Sequence, residues 1–181
     1  VANMSIQDFE VTLTGNSAST RACVSGNGDG VRIVGVIAKD AANAGAGSAH
    51  GIFPSGPNWI VALCDVIDCK THGIRANTGA TNMHVYACTV RGNLIGFAQI
   101  TDGMMRAIDC LASANTTNYL GTPEAGSSYN ASDSASIWGT NSQASRTFTF
   151  INATTKNFHL NVTDVAAKSL GTNLSTNSTF A

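Results

Sequence analysis

The chain has 181 residues, of which only 12% are charged, and a net charge of −1. That length fits one domain, or one domain with an appendage, and is enough to bury a substantial core. The near-neutral balance gives no electrostatic case for nucleic acid or an anionic membrane, no apolar run is long enough for a membrane span, and a hydrophobic content of 43% argues against disorder.

The chain opens at Val1 rather than Met and shows no signal peptide, which suggests a processed or incompletely represented polypeptide. Residues 5–11 and 22–25 read as strands, the second followed by the turn Gly26-Asn27-Gly28-Asp29-Gly30. Residues 31–39 read as a third, with Val31, Ile33 and Val36 facing inward, and residues 41–49 read as a longer inserted loop.

From there an internal repeat takes over. Ala49-His50-Gly51-Ile52-Phe53, Thr71-His72-Gly73-Ile74-Arg75 and Leu94-Ile95-Gly96-Phe97-Ala98 align, their glycines 22 and then 23 residues apart. Residues 61–66 and 85–90 are matching alternating patterns, and a third copy begins at Met105. Cys64, Cys88 and Cys110 recur at intervals of 24 and 22. This period suits one coil of a parallel β-helix. Leucine-rich repeats share the length but need a leucine and asparagine ladder that is missing. Apolar spacing close to two and frequent glycine argue against helix. The expectation is an all-β, right-handed parallel β-helix solenoid of four to five coils over residues 1–120. Stacking would make Cys64, Cys88 and Cys110 an interior ladder of free thiols, and Gly51, Gly73 and Gly96 would supply backbone bends.

Residues 121–146, rich in Ser, Gly, Ala and Asn, read as an irregular surface loop. Residues 147–151 and 157–162 read as strands and 165–170 as one helical turn, which makes 121–181 a loop-rich tail packing on or capping the coils.

The Cys-x-Val and His-Gly-Ile elements resemble those of right-handed parallel β-helix proteins of the pectate-lyase-like superfamily. The tail, with Tyr129-Asn130-Ala131-Ser132-Asp133, Thr149-Phe150, Asn157-Phe158-His159-Leu160, Asp164-Val165-Ala166-Ala167 and Gly171-Thr172-Asn173-Leu174, resembles the ending of phage and bacterial members. The resemblance covers residues 58–175 best and is unspecific for activity, since that superfamily hosts lyases, hydrolases, epimerases, adhesins and tailspikes.

Chemistry is sparse. A hydrolase needs two carboxylates facing each other across a sugar. Asp65 and Asp68 share a coil but stand three residues apart, and Asp109 lies two coils on. The repeat alignment sets Asp68 beside Arg91, which reads as a surface ion pair. No catalytic set, metal site or cofactor is implied. His50 and His72 should neighbour each other, but Ile95 holds the next rung, and His84 and His159 have no evident partner. Trp59, Tyr86 and Trp138 are candidate sugar platforms; Trp59 and Tyr86 should be exposed if Ile60 and Val85 face inward, and Trp138 should pin the polar loop. Asn-x-Ser/Thr recurs at Asn3, Asn115, Asn130, Asn152, Asn161, Asn173 and Asn177 and reads as mostly compositional.

The expected function is a non-enzymatic structural or binding module of a virion (decoration, fibre or spike) or a microbial surface. It would be a homo-oligomer, with a trimer among the options, or a partner of other virion or surface proteins, and a glycan is a candidate ligand. The alternatives are a polysaccharide lyase or glycoside hydrolase and a glycan-binding adhesin.

Overall fold

In the computed structural model the described residues are 4–14, 19–42, 47–100, 102–167 and 171–172. They form a parallel β-solenoid of about five turns with no helix. The strands, in chain order, are β1 (Ser5–Gln7), β2 (Glu10–Thr12), β3 (Arg21–Gly26), β4 (Arg32–Val34), β5 (Ile37–Lys39), β6 (Ala49–Pro54), β7 (Ile60–Ala62), β8 (Asp65–Ile67) and β9 (His72–Ala76). They continue with β10 (Met83–Tyr86), β11 (Thr89–Arg91), β12 (Ile95–Gln99), β13 (Met105–Ile108), β14 (Leu111–Ser113), β15 (Thr117–Leu120), β16 (Ala131–Ser132), β17 (Phe150–Asn152) and β18 (Asn157–Leu160). Each coil contributes one strand to each of three parallel sheets: A (β1-β4-β7-β10-β13), B (β2-β5-β8-β11-β14-β16) and C (β3-β6-β9-β12-β15).

Register stacks like on like. Ile6, Ile33, Val61, Val85 and Ala107 form one column of sheet A. Val11, Ala38, Val66, Val90 and Ala112 form one of sheet B, and Val24, Ile52, Ile74, Phe97 and Tyr119 run along sheet C. Most of these side chains are fully buried. Removing them from water supplies the main driving force, at about 25 cal/mol per Å² of apolar area.

The corner between sheets A and B explains a difference from the sequence reading. Residues 61–66 and 85–90 are each two strands, not one, broken by Leu63 (φ +54°) and Ala87 (φ +47°). The same left-handed position is held by Asp8, Gly35, Asp109 and Tyr129 in the other coils. Residues 5–11 and 31–39 are divided in the same way, at Asp8 and Gly35. One residue with positive φ turns the chain sharply and shifts the in–out alternation by one, so that Val61, Cys64 and Val66 face inward while Leu63 is exposed at the bend.

The repeat glycines have a different role from the one expected. Gly51, Gly73 and Gly96 sit inside β6, β9 and β12 without positive φ. What they need is room: a Cβ on Gly51 would overlap Val66 Cγ1, one on Gly73 would overlap Val90 Cγ1, and one on Gly96 would lie 2.6 Å from Asn118 O.

Between sheets B and C runs an asparagine ladder that the repeat alignment did not reveal. Asn93 Oδ1 accepts from Cys69 N at 2.8 Å, and Asn115 Oδ1 accepts from Asn93 N and Asn93 Nδ2, both at 2.9 Å. Asn115 is therefore engaged inside the wall. Asn130 is likewise buried, with Nδ2 donating to Ala107 O and Trp138 O. Neither amide is free for glycosylation in the folded chain. Asn3, Asn173 and Asn177 lie outside the described residues.

The stretch after residue 120 is more than a surface loop. Parallel pairing continues through β16 and through single bridges from Ile108 to Ser128 to Thr140 and from Ala131 to Gln143. Trp138 is buried at this end, its ring tilted 5.5 Å from Tyr119 and its Nε1 donating to Gly121 O at 2.9 Å. Ser136 Oγ donates to Tyr119 O and accepts from Tyr119 N, so the free edge of β15 is satisfied. The C-terminal end of the solenoid is thus closed. β17 and β18 then pair as an antiparallel hairpin. Residues 165–167 are not helical, and 168–170 lie outside the described residues.

Candidate functional site

The hairpin lies against the outer face of sheet B and leaves a cleft of about 270 Å³. One wall is the in-register column Asp65, Thr89, Leu111 and Ala131. The other is Phe158, His159 and Leu160 of β18, and Asp109, Tyr129 and Gln143 close the rim. Asp65 and Asp109 therefore reach one cleft from different coils, whereas Asp68 does not line it.

The two carboxyls are differently placed. Burial raises the Asp65 pKa, opposed by the nearby His159 and by a hydrogen bond from Thr89. Asp109 holds the chain end: Oδ1 accepts from Thr172 N and Oδ2 from Thr172 Oγ1, both at 2.7 Å. Of the cleft amides, Asn130 is consumed by backbone, and Gln143 Oε1 accepts from Arg146.

Three further links hold the hairpin. Lys156 Nζ pairs with Asp40 and, at 2.9 Å, with Asp68. The ion pair expected between Asp68 and Arg91 is absent, because Asp68 is taken by a lysine 88 positions away in sequence. Arg91 instead places its guanidinium 5.1 Å from the Phe150 ring centroid and 4.9 Å from that of Phe158, and donates to Ser113 Oγ. Phe158 is buried by this contact with the coil wall.

The candidate platforms are inside. Trp59 is 1% exposed, its ring against Gly26 and its Nε1 donating to Gly28 O at 2.8 Å. Tyr86 is 4% exposed, edge-on to His84 with its hydroxyl 3.2 Å from His84 Nδ1. Val85 does face inward, but Tyr86 is covered as well, so the exposure expected of Trp59 and Tyr86 is not found. Trp138 caps the end of the coils and does not pin a loop to their side.

His50 and His72 are in register, with Nδ1 atoms 3.1 Å apart, and Ile95 follows on the next rung. Thr71 Oγ1 gives its proton to Ala49 O at 2.6 Å, so it accepts from His50 Nδ1–H. Two neutral rings sharing one proton line form a structural pair. Among the described residues no group of three or more His, Cys, Asp or Glu is arranged to hold a metal ion. The thiol of Cys88 contacts those of Cys64 and Cys110, and burial holds it protonated, well above the ordinary thiol range. All five cysteines are free.

His159 was beyond the reach of periodicity, since only the folding back of the tail brings it to Asp65. Thr89 was legible, because the repeat sets it beside Asp65. No helix among the described residues is long and apolar enough to cross a membrane. Comparison with protein-family models, with curated proteins and with solved structures gives no match.

Proposed function

We propose that this chain is a non-enzymatic structural or binding module of a virion decoration, fibre or spike, or of a microbial surface, and that it works as an oligomer or beside other such proteins. Membership of the pectate-lyase-like superfamily, with a phage or bacterial affiliation, is part of the same proposal. The observation that carries it is the use made of the acids that meet the C-terminal segment. Asp109 spends both oxygens on Thr172, and Asp40 and Asp68 are spent on Lys156. These carboxylates fasten a tail to a wall, whereas hydrolysis needs a free acid and a free base or nucleophile on either side of a glycosidic bond. The low-charge, Ser/Thr/Asn-rich composition also suits an extracellular or virion setting.

One observation favours an enzyme as the second reading. Asp65 shares the cleft with His159, and its raised pKa is what a general acid requires. A screen of acidic and neutral polysaccharides with the intact chain and with Asp65→Ala separates the two. No turnover is expected; turnover lost in Asp65→Ala would replace the structural reading with a lyase or hydrolase. An adhesin would have to bind glycans without the three rings first considered, because all three are buried.

A further inference from the structure

We propose that Cys23 and Cys69 are a disulfide-forming pair, poised in the native coils at a point where two exceptions to the repeat meet. The pairing holds under either functional reading above. Cys23 lies between the register pairs Ala22–His50 and Val24–Ile52, so it stands at the position that Gly51, Gly73 and Gly96 hold in later coils. There a side chain is excluded by Val66 over Gly51 and by Val90 over Gly73. The residue in register with Val66 one coil earlier is Ala38, whose smaller side chain leaves Cys23 its place. Cys69 is the second exception, since it occupies the rung of Asn93 and Asn115 in the ladder between sheets B and C. A Cβ on Gly73 would lie 3.1 Å from Asn93 Nδ2, one on Gly96 2.9 Å from Asn115 Nδ2, and one on Gly51 3.2 Å from Cys69 Sγ. A cysteine at the glycine position and a cysteine at the asparagine position, one rung apart, therefore point into the same corner.

The sulfurs hang from neighbouring rungs. Cys23 Sγ reaches Lys39 O at 3.8 Å and Cys69 Sγ reaches Ile67 O at 3.6 Å, and Lys39 and Ile67 are register partners on adjacent coils. The two thiols hydrogen-bond to each other, and the bond from Cys69 holds Cys23 below the ordinary thiol range. Cys23 is the readier thiolate, and the thiolate is the attacking form. With a small-molecule disulfide as oxidant, Cys23 Sγ attacks one of its sulfurs, the oxidant's S–S bond breaks, and one small thiol leaves with the Cys23 proton. Cys69 then attacks Cys23 Sγ, the mixed disulfide breaks, and the second small thiol leaves with the Cys69 proton. Two protein thiols are oxidised and one small disulfide is reduced. The ladder thiols are placed differently. Cys64, Cys88 and Cys110 repeat in one orientation, each reaching the carbonyl two residues back and one on the preceding coil. Side chains stacked in parallel do not converge as the near-perpendicular disulfide dihedral requires.

Refolding of the full reduced chain in a glutathione buffer dominated by the oxidised form tests this, read by mass, peptide mapping and thermal unfolding. One bridge is expected, joining Cys23 to Cys69, with Cys64, Cys88 and Cys110 still open to alkylation once the chain is unfolded. The two positions lie 46 apart in sequence, so the bridge closes a long loop. It should raise the thermal midpoint by roughly 5–10 °C, and reductant should abolish the gain. Cys23→Ala should lose both bridge and gain, while its midpoint stays near that of the reduced parent. Cys69→Asn, which carries the ladder's own residue one rung further, should do the same, and it keeps the test intact if the alanine variant folds poorly. Five alkylatable thiols in the refolded chain, a bridge among Cys64, Cys88 and Cys110, or a Cys23–Cys69 bridge that fails to raise the midpoint would overturn the proposal.

Discussion

His50 and His72 face each other across adjacent coils with their Nδ1 atoms 3.1 Å apart and their rings 4.8 Å between centroids. Burial, then the charges of His72 and Arg75, lowers His50 from the usual 6.5 to about 3, and burial and Arg75 lower His72 to about 4. Both folded pKa values lie below the unfolded one, so the unfolded chain takes up protons first. The stability tied to the neutral rings is complete above pH 6.5 and drains as pH falls toward 4 and then 3. The slope should be about 1.4 kcal/mol per pH unit for each ring. Urea unfolding at a series of pH values between neutrality and pH 4 checks this. His72→Asn should reduce the slope, leaving the part that His50 and the likewise burial-lowered His84 contribute, and a wild-type profile flat over that range would refute the account.

Gly73→Ala should destabilise the chain by about 1–3 kcal/mol, the usual cost of overpacking a filled core. The added methyl meets Val90 Cγ1 and sits 2.9 Å from Gly96 O, with no flexible chain end to move aside. Gly73→Ala combined with Val90→Ala should recover part of the loss. A Gly73→Ala protein with unchanged denaturant midpoint would show that the coil can widen at that point.

Leu63→Gly should raise stability by up to about 1 kcal/mol, since a left-handed backbone costs an L-residue roughly 1–2 kcal/mol and glycine returns part of this as entropy. Leu63 is 55% exposed, so little packing is lost. A shift of the thermal midpoint downward would mean that its side chain contributes more than its backbone costs.

Arg91→Ala should loosen the tail without unfolding the solenoid. It removes a guanidinium lying over both Phe150 and Phe158, contacts worth about 0.5–1 kcal/mol each when partly exposed. Hydrogen exchange should rise across β17 and β18 and stay unchanged in β7 to β9. Lys156→Ala should act in the same direction, and added salt should have less effect on it than on the parent chain. Uniform protection in both variants would mean that the hairpin is held by other contacts.

The solenoid was legible because its evidence is periodic. The intervals at Cys64, Cys88 and Cys110, and the inward Val61, Val66, Val85 and Val90, are what stacking produces. Features that break periodicity without an unusual residue were not legible: Leu63 and Ala87 carry left-handed corners with no glycine to mark them. The repeat glycines were visible but ambiguous, since sequence does not separate a residue needed for its dihedral from one needed for its lack of a side chain. Trp59 and Tyr86 were misjudged because alternation gives the direction of a side chain and not what covers it. The cleft was mostly illegible. Its lower wall follows from the repeat, but Asp65 meets His159, Asp68 meets Lys156 and Asp109 meets Thr172 only after more than fifty residues of intervening chain have folded.

At the A–B corner every coil passes from one strand to the next through the same two positions, from Asp8-Phe9 to Asp109-Cys110. The other two corners vary in length from coil to coil, as the stretch between β5 and β6 shows. Foreign peptides grafted into the corner between sheets C and A should leave the pitch undisturbed, while even a single extra residue at the A–B corner would throw every later rung out of line, and one in the B–C corner would meet the ladder of Asn93 and Asn115. That gives the chain one permissive ridge.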